Sequence, residues 1–487
     1  MTNLQFTTPI VDKLKEYCQN HHIPFYTPGH KRGSGINPLL QDLLRKNLFL
    51  SDLTELPELD NLFKPEGVIK LALDLASQTF GSDKTWFLIN GSTSGIIAAI
   101  LATCHPGDKI ILPRNIHKSV ISGLILSGAI PIFIKPVYDQ DWQIFYSITP
   151  ESLKETLNIH SDAKAVMIVY PTYEGICGNI QEIVKITHEY HIPLLVDEAH
   201  GAHFHFHPQL PISALKAGAD LSVQSSHKTL SSLTQTSMLH LQGNLINPEI
   251  LNKSLEMVLS SSPNYILLAS LDAARQQMAT EGEFLMSKTL ELAKVARNKI
   301  SQITGLRVLE LNKKPGFENL DQTRLTIKVS GLGLNGYLAD DILTEKFGII
   351  SELASRENIT FIISLGNTQT DIEQLVTGLT KLAENYGNGQ TQKMTPSVTF
   401  PDDCDHSMRL SPREAFFAAT KMIPLTAANQ CISAEMICPY PPGIPVLIPG
   451  ERITEKIIDS LQQAIALGCT ITGCSDPSLN QIKIIDN

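Results

Sequence analysis

The stretch Ile192-Pro-Leu-Leu-Val-Asp197-Glu198-Ala199-His200-Gly201-Ala202-His203 is an apolar run that ends abruptly in an acid. A short apolar run bounded by polar residues and glycine reads as a strand buried on both faces, as in a parallel sheet covered by helices. Ligands of such sheets collect at the carboxyl ends of the strands, so Asp197 is expected to face one. Lys228 follows 31 residues later in Ser225-Ser226-His227-Lys228-Thr229-Leu230, after a second short strand that ends at Gln224. Acid and lysine therefore stand just past the ends of two strands.

Working outward, the chain from about residue 66 alternates helix and strand, which predicts an α/β fold with a mainly parallel sheet. The strand Trp86-Phe-Leu-Ile leads into Asn90-Gly91-Ser92-Thr93-Ser94-Gly95 and an apolar helix. Small residues at a helix start present backbone N–H groups and hydroxyls to an anion, although Ser92 alone reads equally as a cap. The glycine spacing of a dinucleotide fold and the Gly-Lys-Ser/Thr of a P-loop are both missing. The strand to Pro113 delivers His117, which could cover a ring or simply cap a helix. The strand to Tyr170 delivers Thr172 and Glu174. Polar residues at five strand ends, with an acid and a lysine among them, suit pyridoxal phosphate. The acid keeps its pyridine nitrogen protonated and the lysine holds its aldehyde.

Residues 1–65 form an amino-terminal arm. It carries the turn-rich Tyr26-Thr-Pro-Gly-His30-Lys31-Arg32-Gly33, read as a surface loop or as a basic arm reaching a neighbouring subunit's site. The acidic stretch around Asp52 and Glu55 reads as helix caps or solvated surface. Residues 66–258 are expected to be the large, cofactor-binding domain, 259–390 a smaller α/β domain and 391–487 a carboxyl-terminal domain. A polar break near residues 384–392 marks a linker. In the last segment the proline-dense turn after Glu435 can hold that acid rigidly. Histidines 203, 205 and 207 would share one face of a strand, but nothing nearby completes a metal site and no metal is expected.

The net charge of −10 and the lack of a basic domain argue against nucleic acid as a partner. The eight cysteines form no Cys-x-x-Cys pair, which suits a reducing, cytoplasmic setting. The start Met1-Thr-Asn-Leu-Gln-Phe lacks the features of a signal peptide, and no apolar stretch is long enough to span a membrane.

The blocks Tyr26–Gly33, Asn90–Gly95, Arg114–Ser119, Asp197–His203, Ser225–Leu230 and Ser433-Ala-Glu-Met…Pro-Tyr-Pro-Pro-Gly443 together resemble the bacterial ornithine/lysine/arginine decarboxylases of the aminotransferase-like class. The resemblance implies a pyridoxal phosphate enzyme of fold type I (aspartate aminotransferase-like), working as a homodimer or a multiple of dimers on a basic amino acid. It makes Lys228 the cofactor lysine and Asp197 the partner of the pyridine nitrogen. His117 would stack on the ring with Ala199 on the other face. Ser92, Thr93, Ser225 and His227 would contact the phosphate, with His227 or Lys228 returning a proton. Larger members carry an additional domain before the first block. Its absence here implies the short, biosynthetic type of polyamine metabolism, with arginine the first choice of substrate, then lysine and ornithine. A basic substrate needs an acid at the far end of its pocket: Glu435, Asp52, Glu55 and Glu174 are candidates, with His30 of the arm beside them. An aminotransferase would instead need a cation for the substrate carboxylate, for which Arg324 is the suspect. A catalytically silent protein would not need Asp197 and Lys228 together.

Overall fold

Apolar runs of four or five residues become the central strands of this computed structural model, and glycines stop some of the helices, Gly81 and Gly128 among them. Residues 4–20, 22–387, 408–440, 443–466 and 469–486 are described. Most of the expected linker and the pair Pro441 and Pro442 lie outside them. The chain divides into two units, Met1–Ala102 with Pro193–Ser287, and Thr103–Ile192 with Lys288–Asn487.

In the first unit four strands pair in the order Lys84–Leu88, Ser237–Leu241, Leu221–Gln224, Leu194–Asp197. The last two are parallel, in register Asp197 to Val223. Ser237–Leu241 runs antiparallel to both its neighbours, a departure from the parallel pattern, and the sequence reading places no strand there. Its centre holds His240, fully buried, whose Nδ1 lies 2.8 Å from the Thr85 hydroxyl and whose Nε2 lies 3.2 Å from Gln224 Oε1. Burial pushes this imidazole down to about 3, so it is neutral.

The helix Val68–Phe80 ends on Gly81, whose φ of 75° is left-handed and easy only for glycine. The helix Gly91–Thr103 starts hard against the strands: a Cβ on Gly95 would meet Leu88 and Val223 side chains at 2.7 and 2.8 Å. The amino-terminal segment is fixed from far along the chain. Buried Arg275 donates to the carbonyls of Gln5 (3.0 Å) and Thr7 (2.7 Å), and Asp272 accepts from the Ile10 amide at 2.9 Å. Histidines 203–207 do not form a strand. Phe204–Phe206 is a 3₁₀ turn, with Phe206 packed edge-on against Phe80, so the alternation that suggested a ligand face is absent.

In the second unit the strands Ala165–Val169, Lys109–Pro113 and Ile130–Ile134 pair in parallel in that order. A separate antiparallel sheet orders Arg307–Val308, Arg324–Lys328, Asn358–Ile362 and Leu353–Ala354. The helices Gly336–Phe347 and Gln369–Tyr386 close its core around Leu325, Ile327, Leu343 and Leu379. Asn335 caps Gly336–Phe347 through the Leu338 amide, and Gly348 ends it in the left-handed region. Nearer the carboxyl terminus Thr420–Pro424 pairs with Gln481–Ile485, and Cys438–Tyr440 with Thr470–Thr472. Among the described residues no helix is long and apolar enough to cross a membrane.

Candidate active site

Leu194, Leu195 and Val196 have no exposed surface, and that burial drives the strand which brings Asp197 to its end. Asp197 itself is buried, and its Oδ1 accepts from the Ala199 amide at 3.2 Å. Burial pushes its carboxyl above the ordinary carboxylate range, and the charge of Lys228 pulls it back. Lys228 lies in the one-turn helix Ser226–Thr229 rather than in an open turn. Its Nζ is 3.0 Å from His200 Nε2, so the two nitrogens share a hydrogen bond whose direction follows the proton. The residue at the start of that short helix, Ser225, donates to Ser92 Oγ at 2.9 Å, and so ties the lysine turn to the first turn of Gly91–Thr103. Ser92 is half-buried and Thr93 exposed at that helix start, where the first amides have no intrahelical acceptor. His227 Nδ1 donates to the Thr236 carbonyl at 2.6 Å, which fixes its ring.

Asp197, Ala199, His200, Ser92, Thr93, Ser225, His227 and Lys228 all lie in the first unit. His200 enters the sequence reading only as part of the quoted stretch Ile192–His203; its contact with the lysine was not foreseen. The Asp-x-x-His spacing after a buried strand is the signal that could have found it. Glu198 was also passed over, and it is fully buried.

The second unit holds His117. Its Nδ1 accepts from the Ser119 amide at 3.2 Å and lies 2.9 Å from the Ser119 hydroxyl, so the ring caps the helix Lys118–Ser127. Arg114, three residues earlier, donates to the carbonyls of Pro445 (2.6 Å) and Val446 (3.1 Å) and to Glu451 at 3.0 Å. Both oxygens of Glu435 accept backbone amides, from Ser475 at 2.7 Å and Lys483 at 2.8 Å. Glu435 thus locks carboxyl-terminal segments together. Arg324, the clamp an aminotransferase would need, has no exposed surface and stands 3.8 Å from equally buried Asp321. Glu174 lies on the wall of a cavity of about 1090 Å³, mouth included, with Asn115, Thr172, Tyr337 and Arg356 among its other lining residues. Burial holds the Glu174 carboxyl up, opposed by its own amide and the Thr172 hydroxyl.

The remaining candidates lie in the first unit and are engaged locally. His30 Nδ1 accepts from the Gly33 amide at 3.0 Å, so its Nε2 carries the proton and donates to Asp52 at 3.0 Å. Glu55 accepts from the Asn61 side chain (2.8 Å) and the Leu62 amide (3.2 Å). Lys31, Arg32 and Gly33 take φ values of 48°, 59° and 93° in succession, which turns Arg32 back onto the carbonyls of Tyr17, Cys18 and Asn20.

The model of the major domain of the Orn/Lys/Arg decarboxylases matches residues 8–371, and that of their carboxyl-terminal domain matches residues 398–473. The chain belongs to the Orn/Lys/Arg decarboxylase family. An arginine decarboxylase of Bacillus subtilis (strain 168) is 40% identical over 483 residues, 99% of this chain and 98% of that protein. The crystal structure of a lysine decarboxylase from Francisella novicida aligns at a TM-score of 0.83 and 25% identity, over 99% of this chain and 82% of its own. A ureidoglycine–glyoxylate aminotransferase of Bacillus subtilis shares the fold alone, at a TM-score of 0.51 and 14% identity over 66% of this chain and 85% of its own. The fold is α/β and aminotransferase-like.

The residues of this decarboxylase-family chain fit pyridoxal phosphate by their donor set. An amine is held by an imidazole, a buried acid lies within reach of its charge, and linked hydroxyls stand at a helix start that offers amides to an anion. The Ser226 hydroxyl, fully buried two residues before Lys228, has no hydrogen-bond partner among the described residues, an orphan that a bound group would satisfy.

Proposed function

We propose that the chain is a pyridoxal phosphate-dependent decarboxylase of a basic amino acid, with L-arginine, converted to agmatine and carbon dioxide, as its first substrate. The observation that carries this is the Asp197, His200 and Lys228 cluster, joined through Ser225 to Ser92, in a chain of this family. The choice of arginine is supported by the 40% identity to an arginine decarboxylase, against 25% to the lysine enzyme.

When bound, the cofactor supplies an electron sink for the bond that loses carbon dioxide. Lys228, whose Nζ stands 3.0 Å from His200 Nε2, would be the residue that holds the cofactor. Asp197 would keep the ring nitrogen of the cofactor protonated by its negative charge. His200, 3.0 Å from Lys228 Nζ, takes up and returns the proton of the lysine, which leaves Lys228 able to protonate the substrate carbon. Ser92, Thr93, Ser225 and His227 would hold the phosphate, and Ala199 would pack one face of the ring.

For the distal charge of the substrate we favour Glu174 over Glu435, Asp52, Glu55 and His30. Glu174 lines a cavity, whereas both oxygens of Glu435 are held by backbone amides, and Asp52 and Glu55 accept from His30 and from Asn61 and Leu62. A planar guanidinium pairs well with such a carboxylate. The protein works as a homodimer, with the 26–33 arm contributing to the neighbouring site. The exposed Phe25 and Leu39, at 93% and 81% of their surface, support a partner covering that arm. The test is carbon dioxide release and amine product from arginine, lysine and ornithine. Glu174→Gln is expected to raise KM for the preferred substrate about tenfold with a smaller change in kcat, and Glu435→Gln to leave KM unchanged. A preference for lysine in kcat/KM overturns the arginine assignment, and no carbon dioxide from any of the three overturns the function.

A further inference from the structure

Glu198 follows Asp197 directly, so on an extended backbone the two side chains leave in opposite directions. Asp197 comes under the charge of Lys228, while Glu198 turns inward and has no exposed surface. Its Oε1 accepts from the Ala214 amide at 2.8 Å. Its Oε2 accepts from the Ser222 hydroxyl at 2.6 Å and from the Gln224 side-chain amide at 2.8 Å. Three donors converge on one carboxylate, and two of them belong to the strand that leads to Lys228. The Glu198 amide also donates to the Val223 carbonyl at 3.0 Å, and its own carbonyl accepts from Gly201 at 2.9 Å. Gly201 is glycine for a visible reason: a Cβ there would stand 2.8 Å from Glu198 Cγ. The turn that carries Asp197 and His200 is therefore anchored through Glu198.

The contacts continue. Gln224 gives its N–H to Glu198, so its oxygen faces His240 Nε2 at 3.2 Å, and that nitrogen must carry the proton. His240 Nδ1 is then an acceptor, for the Thr85 hydroxyl at 2.8 Å, and Thr85 in turn meets Ser82 at 2.9 Å. Ser82 is half-buried, so the chain ends where water can reach it. Ionised, as it is above about pH 7, the Glu198 carboxylate only accepts, whereas every other member can reverse. The direction of the whole chain is set at its Glu198 end.

We propose that Glu198 is a positioning residue: its carboxylate polarises the buried chain Glu198–Gln224–His240–Thr85–Ser82 and thereby fixes the turn that presents Asp197 and His200 to Lys228. The role goes beyond the proposed activity and rests on it only for the cofactor arm of the test below.

Two measurements decide it. In protein labelled with ¹⁵N-histidine, His240 is expected to carry its proton on Nε2. In Glu198→Gln the new amide donates to Gln224, that side chain turns over, and the His240 proton moves to Nδ1. Charge exchange along the chain is the second test, read as the dissociation constant of pyridoxal phosphate. Gln224→Glu sets two carboxylates face to face and is expected to weaken cofactor binding at least tenfold. The double variant Glu198→Gln/Gln224→Glu restores one acceptor and one donor at that contact, and is expected to return within about threefold of wild type. A His240 proton that stays on Nε2 in Glu198→Gln overturns the proposal, as does a double variant no better than Gln224→Glu alone. If Gln224→Glu does not fold, the tautomer measurement decides. Wild-type protein that takes up no pyridoxal phosphate overturns the proposed function instead, and the tautomer measurement, which needs no cofactor, still decides on Glu198.

Discussion

Two turns of this chain follow buried strands and carry a histidine three residues after their first polar residue: Asp197 to His200, and Arg114 to His117. In the first, Asp197 comes under the charge of Lys228 and His200 touches it. In the second, Arg114 binds the carbonyls of Pro445 and Val446, and His117 caps its own helix. The same position at a strand end thus supports either chemistry or architecture. What separates the two is the partner each polar atom has found, and those partners lie far away in the sequence.

The sharpest way to break the contrast is at Lys228. Lys228→Ala is expected to lower kcat/KM by on the order of 10⁴ and to abolish the visible absorption band of the bound cofactor. An unchanged band would place the covalent attachment elsewhere. Asp197→Asn keeps shape but loses charge, and turnover should fall roughly a thousandfold with little change in the unfolding transition. Near-normal rates would move Asp197 to the architectural side.

Glu198 offers a contrast in stability. Burial pushes its carboxyl up to about 7 from an ordinary 4.5, against the pull of Gln224, Ser222 and the Ala214 amide. An acid with a raised folded pKa binds its proton more tightly when folded, so its contribution is full below pH 4.5 and is lost as pH rises through 7. Relative to Glu198→Gln, wild type should lose about 3 kcal/mol over that window, measured by urea unfolding at several pH values. Parallel pH curves for the two proteins would show that Glu198 stays ionised throughout. The smallest effect is expected at His117. Loss of the cap in His117→Ala should reduce stability by about 1 kcal/mol, and His117→Asn should recover most of it. A cofactor affinity that falls more than about tenfold in both variants would return His117 to the chemical side, beyond what one ring stack supplies.

The strands to Asp197 and Gln224 were legible because their signals are local: short apolar runs that end in a polar residue. Ser237–Leu241 was not. His240 interrupts its apolar pattern, and the groups that satisfy that ring, Thr85 and Gln224, lie 155 and 16 residues away. Glu198 was hidden for the same reason, since Ala214, Ser222 and Gln224 become its neighbours only on folding. The histidines at 203–207 misled because alternation implies a strand only if the backbone is extended, and the Phe204–Phe206 turn is set by ring packing the pattern does not encode.

The contacts of Arg114 and Arg275 also carry a schedule. Arg114 emerges from the ribosome 331 residues before Pro445, and Gln5 emerges 270 residues before Arg275. At synthesis rates of roughly 5–20 residues per second, that leaves the Arg114 strand end without its partners for about 17–66 s. Completion of both units is thus tied to late stretches of the message, and a chain cut short before residue 445 would carry Arg114 into the cell with no carbonyls to bind.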